Sequence, residues 1–217
     1  MHKMSTPSIT ESELRQAVRS RLLADATKSG GRLFEELGIE GGEARVDLAL
    51  VDTQLSAFEL KSDLDSFARL HNQIHAYNRV FDRVTLVTGP IYSEASLALM
   101  PTWWGVWSAA RRVDGTLALR VLRKPKANPI QDRLSMAMLL WRAECIEALA
   151  SHRGELPPKR ATKFELQEML ARELSVRTLR EAVTSFLRKR QAGFLPSTSL
   201  TSDGTSDAVA FALSCLA

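Results

Sequence analysis

The chain has 217 residues, 45% of them hydrophobic and 25% charged. That is enough for one solid core with a smaller appended region, and the charge is too ordinary for wholesale disorder. Its two cysteines, Cys145 and Cys215, fit neither zinc-ligand spacing nor a disulfide framework, no run reaches the ~18 apolar residues of a membrane span, and the opening MHKMSTPSITESEL lacks the apolar core of a secretory signal, so a cytoplasmic protein off the membrane is expected.

The net charge of +4 is unevenly spread. Met1 to Leu119 carries 13 Lys and Arg against 15 Asp and Glu, whereas Arg120 to Gly193 carries 16 against 8. A basic second segment suits a polyanion such as nucleic acid, and it equally suits a solvated helical surface.

In chain order, ITESELRQAVRSRLLADA predicts an amphipathic helix with Leu14, Val18, Leu22 and Leu23 near helical spacing and Thr10 or Ser12 as cap. RLFEELGI, EARVDLALVD and SAFELKS are short alternating runs between turn residues, hence strands. LDSFARLHNQIHAYNRVF returns to helical period, with Leu64, Phe67, Leu70, Ile74 and Tyr77 on one stripe and Asp63 or Asp65 as cap. RVTLVTG is a buried strand, and WWGVWSAA and TLALRVL suggest two more, their tryptophans read as core in preference to base-stacking.

Beyond Pro129 the pattern is helical. IQDRLSMAMLLWRAECIEALASH reads as one long helix, followed by TKFELQEMLAREL and VRTLREAVTSFLRKR. The last two have a helix-turn-helix rhythm, with Arg177, Arg180, Arg188, Lys189 and Arg190 as nucleic-acid-binding candidates. A helical cap packed on the core has the same rhythm. The expected division is a core over 1–128, a basic helical segment over 129–193 and a loose tail over 194–217.

The chemistry concentrates between Glu36 and Lys61. In ARVDLALV the apolar Val46, Leu48 and Leu50 alternate with Asp47, and in AFELK Glu59 and Lys61 share the face opposite Phe58 and Leu60. A hairpin loop of Gly41-Gly42 places Glu36 opposite Asp47, and a loop of Asp52, Thr53 and Gln54 places Asp47 opposite Glu59. Cross-strand partners lie ~5 Å apart, so three carboxylates and one ammonium converge on one sheet face. Clustered carboxylates repel unless a cation joins them, and hard oxygens favour Mg²⁺ or Mn²⁺. Such a site acidifies a water and neutralises a scissile phosphate, with Lys61 placed to stabilise the transition state.

Asp47 followed by Glu59-Leu60-Lys61 on the next strand resembles the PD-(D/E)xK nuclease superfamily, with Val46 standing where a proline often precedes the first acid. Gln73-Ile-His-Ala-Tyr77 on the following helix is similar to the QxxxY signature of that superfamily's recombination-associated branch. The resemblance runs from about Glu11 to Gly89 and extends to small bacterial and phage proteins carrying this core. It implies a restriction-endonuclease-like α/β fold: a helix, three antiparallel strands, a helix and a strand. It further implies a DNA substrate, Asp47, Glu59 and the Leu60 carbonyl as metal ligands, Lys61 as the reactive lysine, and roles for Gln73 and Tyr77. Glu36 fits as the upstream acid, with Glu35, Glu43 and Glu13 as alternatives. His71 and His75, at i and i+4, read as surface residues before they read as a metal pair. A homodimer is an option within the superfamily, and DNA binding without cleavage on the same scaffold is the alternative function.

Overall fold

The computed structural model describes residues 8–65 and 70–190, the side chains of 70 and 71 excepted. Phe67, the Leu70 and His71 side chains, Cys215 and the tail assigned to 194–217 lie outside the described residues. The first helix, α1 (Glu11–Ser29), starts at Thr10, whose hydroxyl accepts the Glu13 N–H while the Glu13 carboxylate takes the Thr10 N–H. Leu14, Val18, Leu22 and Ala26 form its buried stripe, and Leu23 is left outside.

Six strands form one sheet in the order β1 (Arg32–Ile39), β2 (Ala44–Val51), β3 (Leu55–Lys61), β4 (Arg83–Thr88), β5 (Gly105–Arg111) and β6 (Leu117–Arg123). The pairs β1–β2, β2–β3 and β5–β6 are antiparallel, and β3–β4–β5 run parallel. The parallel crossovers carry α2 (Leu70–Val80) and α3 (Ser93–Leu99), the second of which has no counterpart in the sequence reading. The molecule is therefore a mixed α/β protein with a helical C-terminal region.

The strand pairs that form keep the expected registers, but the expected Glu36–Asp47 and Asp47–Glu59 pairs are not among them: β1–β2 pairing skips Glu36, and β2–β3 pairing stops at Leu48–Phe58. Leu37 faces Val46 and Phe34 faces Ala49, and in the next pair Val51 faces Leu55 and Leu48 faces Phe58. The first loop is longer than a two-residue turn: a short 3₁₀ turn over Glu40–Gly42 joins the strands, with Gly41 and Gly42 at positive φ, and the register is unchanged. The helix after β3 departs further from expectation. Leu64 lies in a loop and is 72% exposed. Asp63 and Asp65 cap no helix among the described residues: Asp63 accepts the Ile9 N–H, and Asp65 accepts the Ser62 N–H and hydroxyl.

One sheet face packs on α1 through Leu48, Leu50, Phe58, Leu60, Val87, Trp107 and Ala109. The other face packs on α2 and on the four C-terminal helices, α4 (Arg133–Ala137), α5 (Arg142–Arg153), α6 (Lys163–Glu173) and α7 (Val176–Lys189). Helix and sheet residues there form one continuous core, from Val46 and Leu86 to Leu166 and Leu187. Trp103 and Trp104 precede β5 in a turn and Trp107 lies within it; all three are buried.

The long helix expected after Pro129 is broken between α4 and α5, and tertiary hydrogen bonds account for the break. The Met138 and Leu140 carbonyls accept from the buried Gln167 amide, and the Leu139 carbonyl accepts from Arg190. Three carbonyls that a continuous helix would pair internally are thus satisfied from α6 and the end of α7. Arg190 also makes a two-point contact with Glu144 at 2.6 and 2.9 Å and lies over the Trp141 ring. Glu144→Ala strands this guanidinium and is expected to destabilise the fold by about 3 kcal/mol, whereas Arg177→Ala on the exposed face of α7 stays within about 0.5 kcal/mol. Urea denaturation of the two variants tests the contrast.

Candidate active site at the fork between β2 and β3

The β2–β3 ladder ends at Leu48–Phe58, while β1–β2 continues to Ile39–Ala44. The tip of the first hairpin therefore leaves the sheet and rolls as it does so. Leu48 packs on the α1 side, yet Leu37 and Val46, one repeat farther along, pack on the α2 side. Val46 and Leu48 accordingly face opposite cores, contrary to simple alternation. The roll occurs at Glu36, which has φ of 53° within the strand, a left-handed conformation that costs a residue with a side chain of order 1 kcal/mol.

Asp47 stands at the fork. Its Oδ2 accepts the Leu60 N–H at 2.8 Å, so the side chain replaces a ladder bond that β2 no longer provides. The Leu60 carbonyl leaves the strand on the same edge as that N–H. Asp47 Oδ1 accepts from Arg15 of α1 at 3.0 Å, and the same guanidinium reaches Glu36 at 2.9 Å. Glu36 thus joins the site through Arg15, a residue the sequence reading did not single out. The other proposed upstream acids are elsewhere: Glu13 pairs with Arg111, Glu35 with Arg19, and Glu43 closes the first hairpin loop.

Glu59 is the buried centre, at 1% exposure. Its Oε1 accepts from the Gln73 amide at 2.6 Å and pairs with Lys61 at 2.9 Å, and its Oε2 lies 2.6 Å from the Tyr77 hydroxyl. Gln73 and Tyr77, one turn apart on α2, therefore meet the same carboxylate. Tyr77 is held by the core itself, stacked on Trp104 and edge-on to Phe81. Trp104 in turn donates to Asn78. His75 is exposed on the same helix.

Counting protons adds a constraint. The Tyr77 hydroxyl lies 2.8 Å from the Arg45 carbonyl as well as 2.6 Å from Glu59, yet a phenol has one proton to donate. The hydroxyl therefore shares its one proton between the Glu59 carboxylate and the Arg45 carbonyl, and toward Glu59 it acts as donor. Burial, and next the charge of Asp47, push the Glu59 carboxyl up to about 7 against the attraction of Lys61. Burial likewise raises the Tyr77 phenol far above its ordinary range.

The C-terminal candidates divide. Arg180 is engaged with Asp82 at 2.5 Å and with Gln131, and Arg190 with Glu144, so these two guanidiniums fasten α7 to the core and are not free for DNA. Arg177 is exposed and paired with Glu181 across one helical turn, and Arg188 and Lys189 are exposed at the helix end.

Among the described residues no three His, Cys, Asp or Glu side chains form a metal cage, and no helix is long and apolar enough to cross a membrane. Asp47 lies close enough to Glu59 for its charge to raise the Glu59 carboxyl, and these two carboxylates with the Leu60 carbonyl are the oxygens that could hold a hard divalent ion. Gln73 Oε1 is also buried there without a hydrogen-bond partner.

The sequence pattern of the family described as Bacteriophage P4 protein cII matches residues 4–200. Protein cII of Enterobacteria phage P4 is 23% identical to this chain over 182 residues, covering 84% of this chain and 68% of that protein. Among solved structures, a protein of unknown function from Silicibacter pomeroyi is similar with a TM-score of 0.42 and 16% identity, over 70% of this chain and 97% of its own.

A carboxyl at about 7 in the folded chain, against an ordinary 4.5, binds its proton more tightly when folded. Its stabilising contribution is complete below pH 4.5 and is lost as pH rises through 7. Glu59→Gln, which stays neutral, is expected to gain on the wild type from pH 5 to pH 8, by up to about 3 kcal/mol. Denaturation midpoints of both proteins across that range check the sign.

Proposed function

For this chain, which belongs to the Bacteriophage P4 protein cII family, we propose a divalent-metal-dependent phosphodiesterase acting on DNA, built on a restriction-endonuclease-like core. The supporting observation is the convergence of Lys61, Gln73 and Tyr77 on Glu59, beside Asp47 and at the point where β2 leaves β3. This convergence of five residues from two strands and a helix is what supports the reading by resemblance to the PD-(D/E)xK and QxxxY patterns.

Each side chain has a role that follows from its position. Asp47, Glu59 and the Leu60 carbonyl are the oxygens that would hold Mg²⁺ or Mn²⁺, which when bound supplies an acidified water and neutralises phosphate charge. Lys61, 14% exposed beside Glu59, presents a fixed ammonium to charge developing on the phosphate. Gln73 and Tyr77 orient Glu59, and Tyr77 ties that orientation to the hydrophobic core. Arg177, Arg188 and Lys189 remain as exposed cations for phosphate contacts that weaken with salt.

A second reading, DNA binding without cleavage, draws on a different observation. Every carboxylate oxygen of Asp47 and Glu59 already faces a protein donor: Arg15, the Leu60 N–H, Gln73 with Lys61, and Tyr77.

Labelled single-stranded, duplex and flapped DNA incubated with Mg²⁺, Mn²⁺ or EDTA separates the two. Hydrolysis is expected with metal and not with EDTA, falling at least about a hundredfold in Lys61→Ala and Asp47→Asn while DNA affinity persists. Absence of cleavage by any variant, with a salt-sensitive mobility shift by the wild type, leaves the binding reading in its place.

A further inference from the structure

Resting on the metal-site reading above, we propose that Arg15 is the resident countercation of Asp47, and that a divalent ion gains Asp47 only by displacing it. Arg15 reaches across from α1 to acceptors on three elements. Nη2 lies 3.0 Å from Asp47 Oδ1 and 2.9 Å from Glu11 Oε1, and Nη1 lies 2.9 Å from Glu36 Oε1 and 3.3 Å from the Asp47 carbonyl. A guanidinium with five N–H donors can satisfy this set, and an ammonium cannot bridge it in the same way.

The two oxygens of Asp47 are not equivalent. Oδ2 is tied to the Leu60 backbone at the fork, where the strands themselves hold it. Oδ1 is bound only by a side chain. The exchange therefore costs the fold little: the carboxylate keeps its place through Oδ2 while Oδ1 changes partner.

The two cations of the site differ in the same way. Lys61 is locked against a carboxylate that is 1% exposed. Arg15 has its outer anchors on side chains 56% and 44% exposed, Glu11 and Glu36. Released from Oδ1, it keeps a paired position at the rim within reach of solvent, so a rotamer change is enough and no element of the fold must move. Two cations competing for one oxygen give a mutual weakening, commonly five-fold or more for directly coupled sites.

The test is a Mn²⁺ titration of the full chain, reading free Mn²⁺ by electron paramagnetic resonance, without DNA. Arg15→Gln is expected to bind Mn²⁺ on the order of tenfold more tightly than the wild type, Arg15→Lys to fall between them, and Asp47→Asn to bind more weakly. Circular dichroism establishes that each variant is folded. If Arg15→Gln fails to fold, Arg15→Lys carries the comparison alone. Affinity in the folded variant equal to or below that of the wild type overturns the proposal, because Arg15 would then organise the acids without competing for them. Lack of Mn²⁺ binding by every protein, Asp47→Asn included, removes the metal site and the proposal together. Tightening in Arg15→Gln with no DNA cleavage under any condition sustains the competition and removes only the hydrolase.

Discussion

A carboxylate with 1% exposure sets the terms for the surrounding structure. Burying Glu59 away from water is unfavourable unless its oxygens are met by donors and its charge is offset. The chain meets both demands with Lys61 on the same strand and with Gln73 and Tyr77 on the next helix. Those partners constrain the fold in turn. Gln73 and Tyr77 fix the rotation of α2 over the sheet, and Tyr77 passes that constraint to Trp104, Phe81 and the Arg45 carbonyl. The candidate chemistry and the hydrophobic core therefore share residues, and a change in either is felt by the other.

The same coupling explains what the sequence could and could not disclose. Strand registers were readable because each hairpin closes locally: once the turns are placed near Gly41-Gly42 and Thr53, pairing is arithmetic, and even the unexpected 3₁₀ turn left it intact. The convergence of Glu59, Lys61, Gln73 and Tyr77 was readable because two short periodicities, alternate residues on a strand and every fourth residue on a helix, aim those groups at one place. The roll at Glu36 was not, since it depends on where β2 stops pairing with β3. Arg15 was not, because an arginine on the polar side of an amphipathic helix looks like any solvated charge. Glu11 four residues before it was the only local hint, and that spacing is common on exposed helices.

The C-terminal region follows the same logic at longer range. Its charge excess suggested a surface for nucleic acid, yet Arg180 and Arg190 face inward and are neutralised by Asp82 and Glu144. Composition counts charges without regard to their partners. On α7 itself Arg177, Arg188 and Lys189 stay exposed, and elsewhere in the region so do Arg120, Lys124, Lys126, Lys159, Arg160, Lys163 and Arg172. The helices contribute to one core with the sheet, and the family pattern spans residues 4–200, so the sheet and its helical cap are matched as a unit. A cap that supplies donors to the Met138, Leu139 and Leu140 carbonyls is part of the scaffold that holds α2, and through α2 the orientation of Glu59.

Two adjacent acids in a sheet fork can be neutralised by protons, by side-chain cations or by a bound divalent ion, and the three are mutually exclusive at any one oxygen. In this structure Arg15 and Lys61 do much of that work, while burial of Glu59 favours its neutral form against the donors Lys61 and Tyr77. A site fully neutralised from within the chain is stable but has no reason to attract a phosphate or a metal. A site neutralised by exchangeable partners keeps its acids ready at little cost to the fold. The distinction rests on which partner oxygens are fastened by backbone and which by side chain alone. Asp47 has one of each, with Oδ2 held at Leu60 and Oδ1 held by Arg15. That asymmetry lets Oδ1 change partner while the carboxylate keeps its place, so any exchange at the fork turns on one guanidinium.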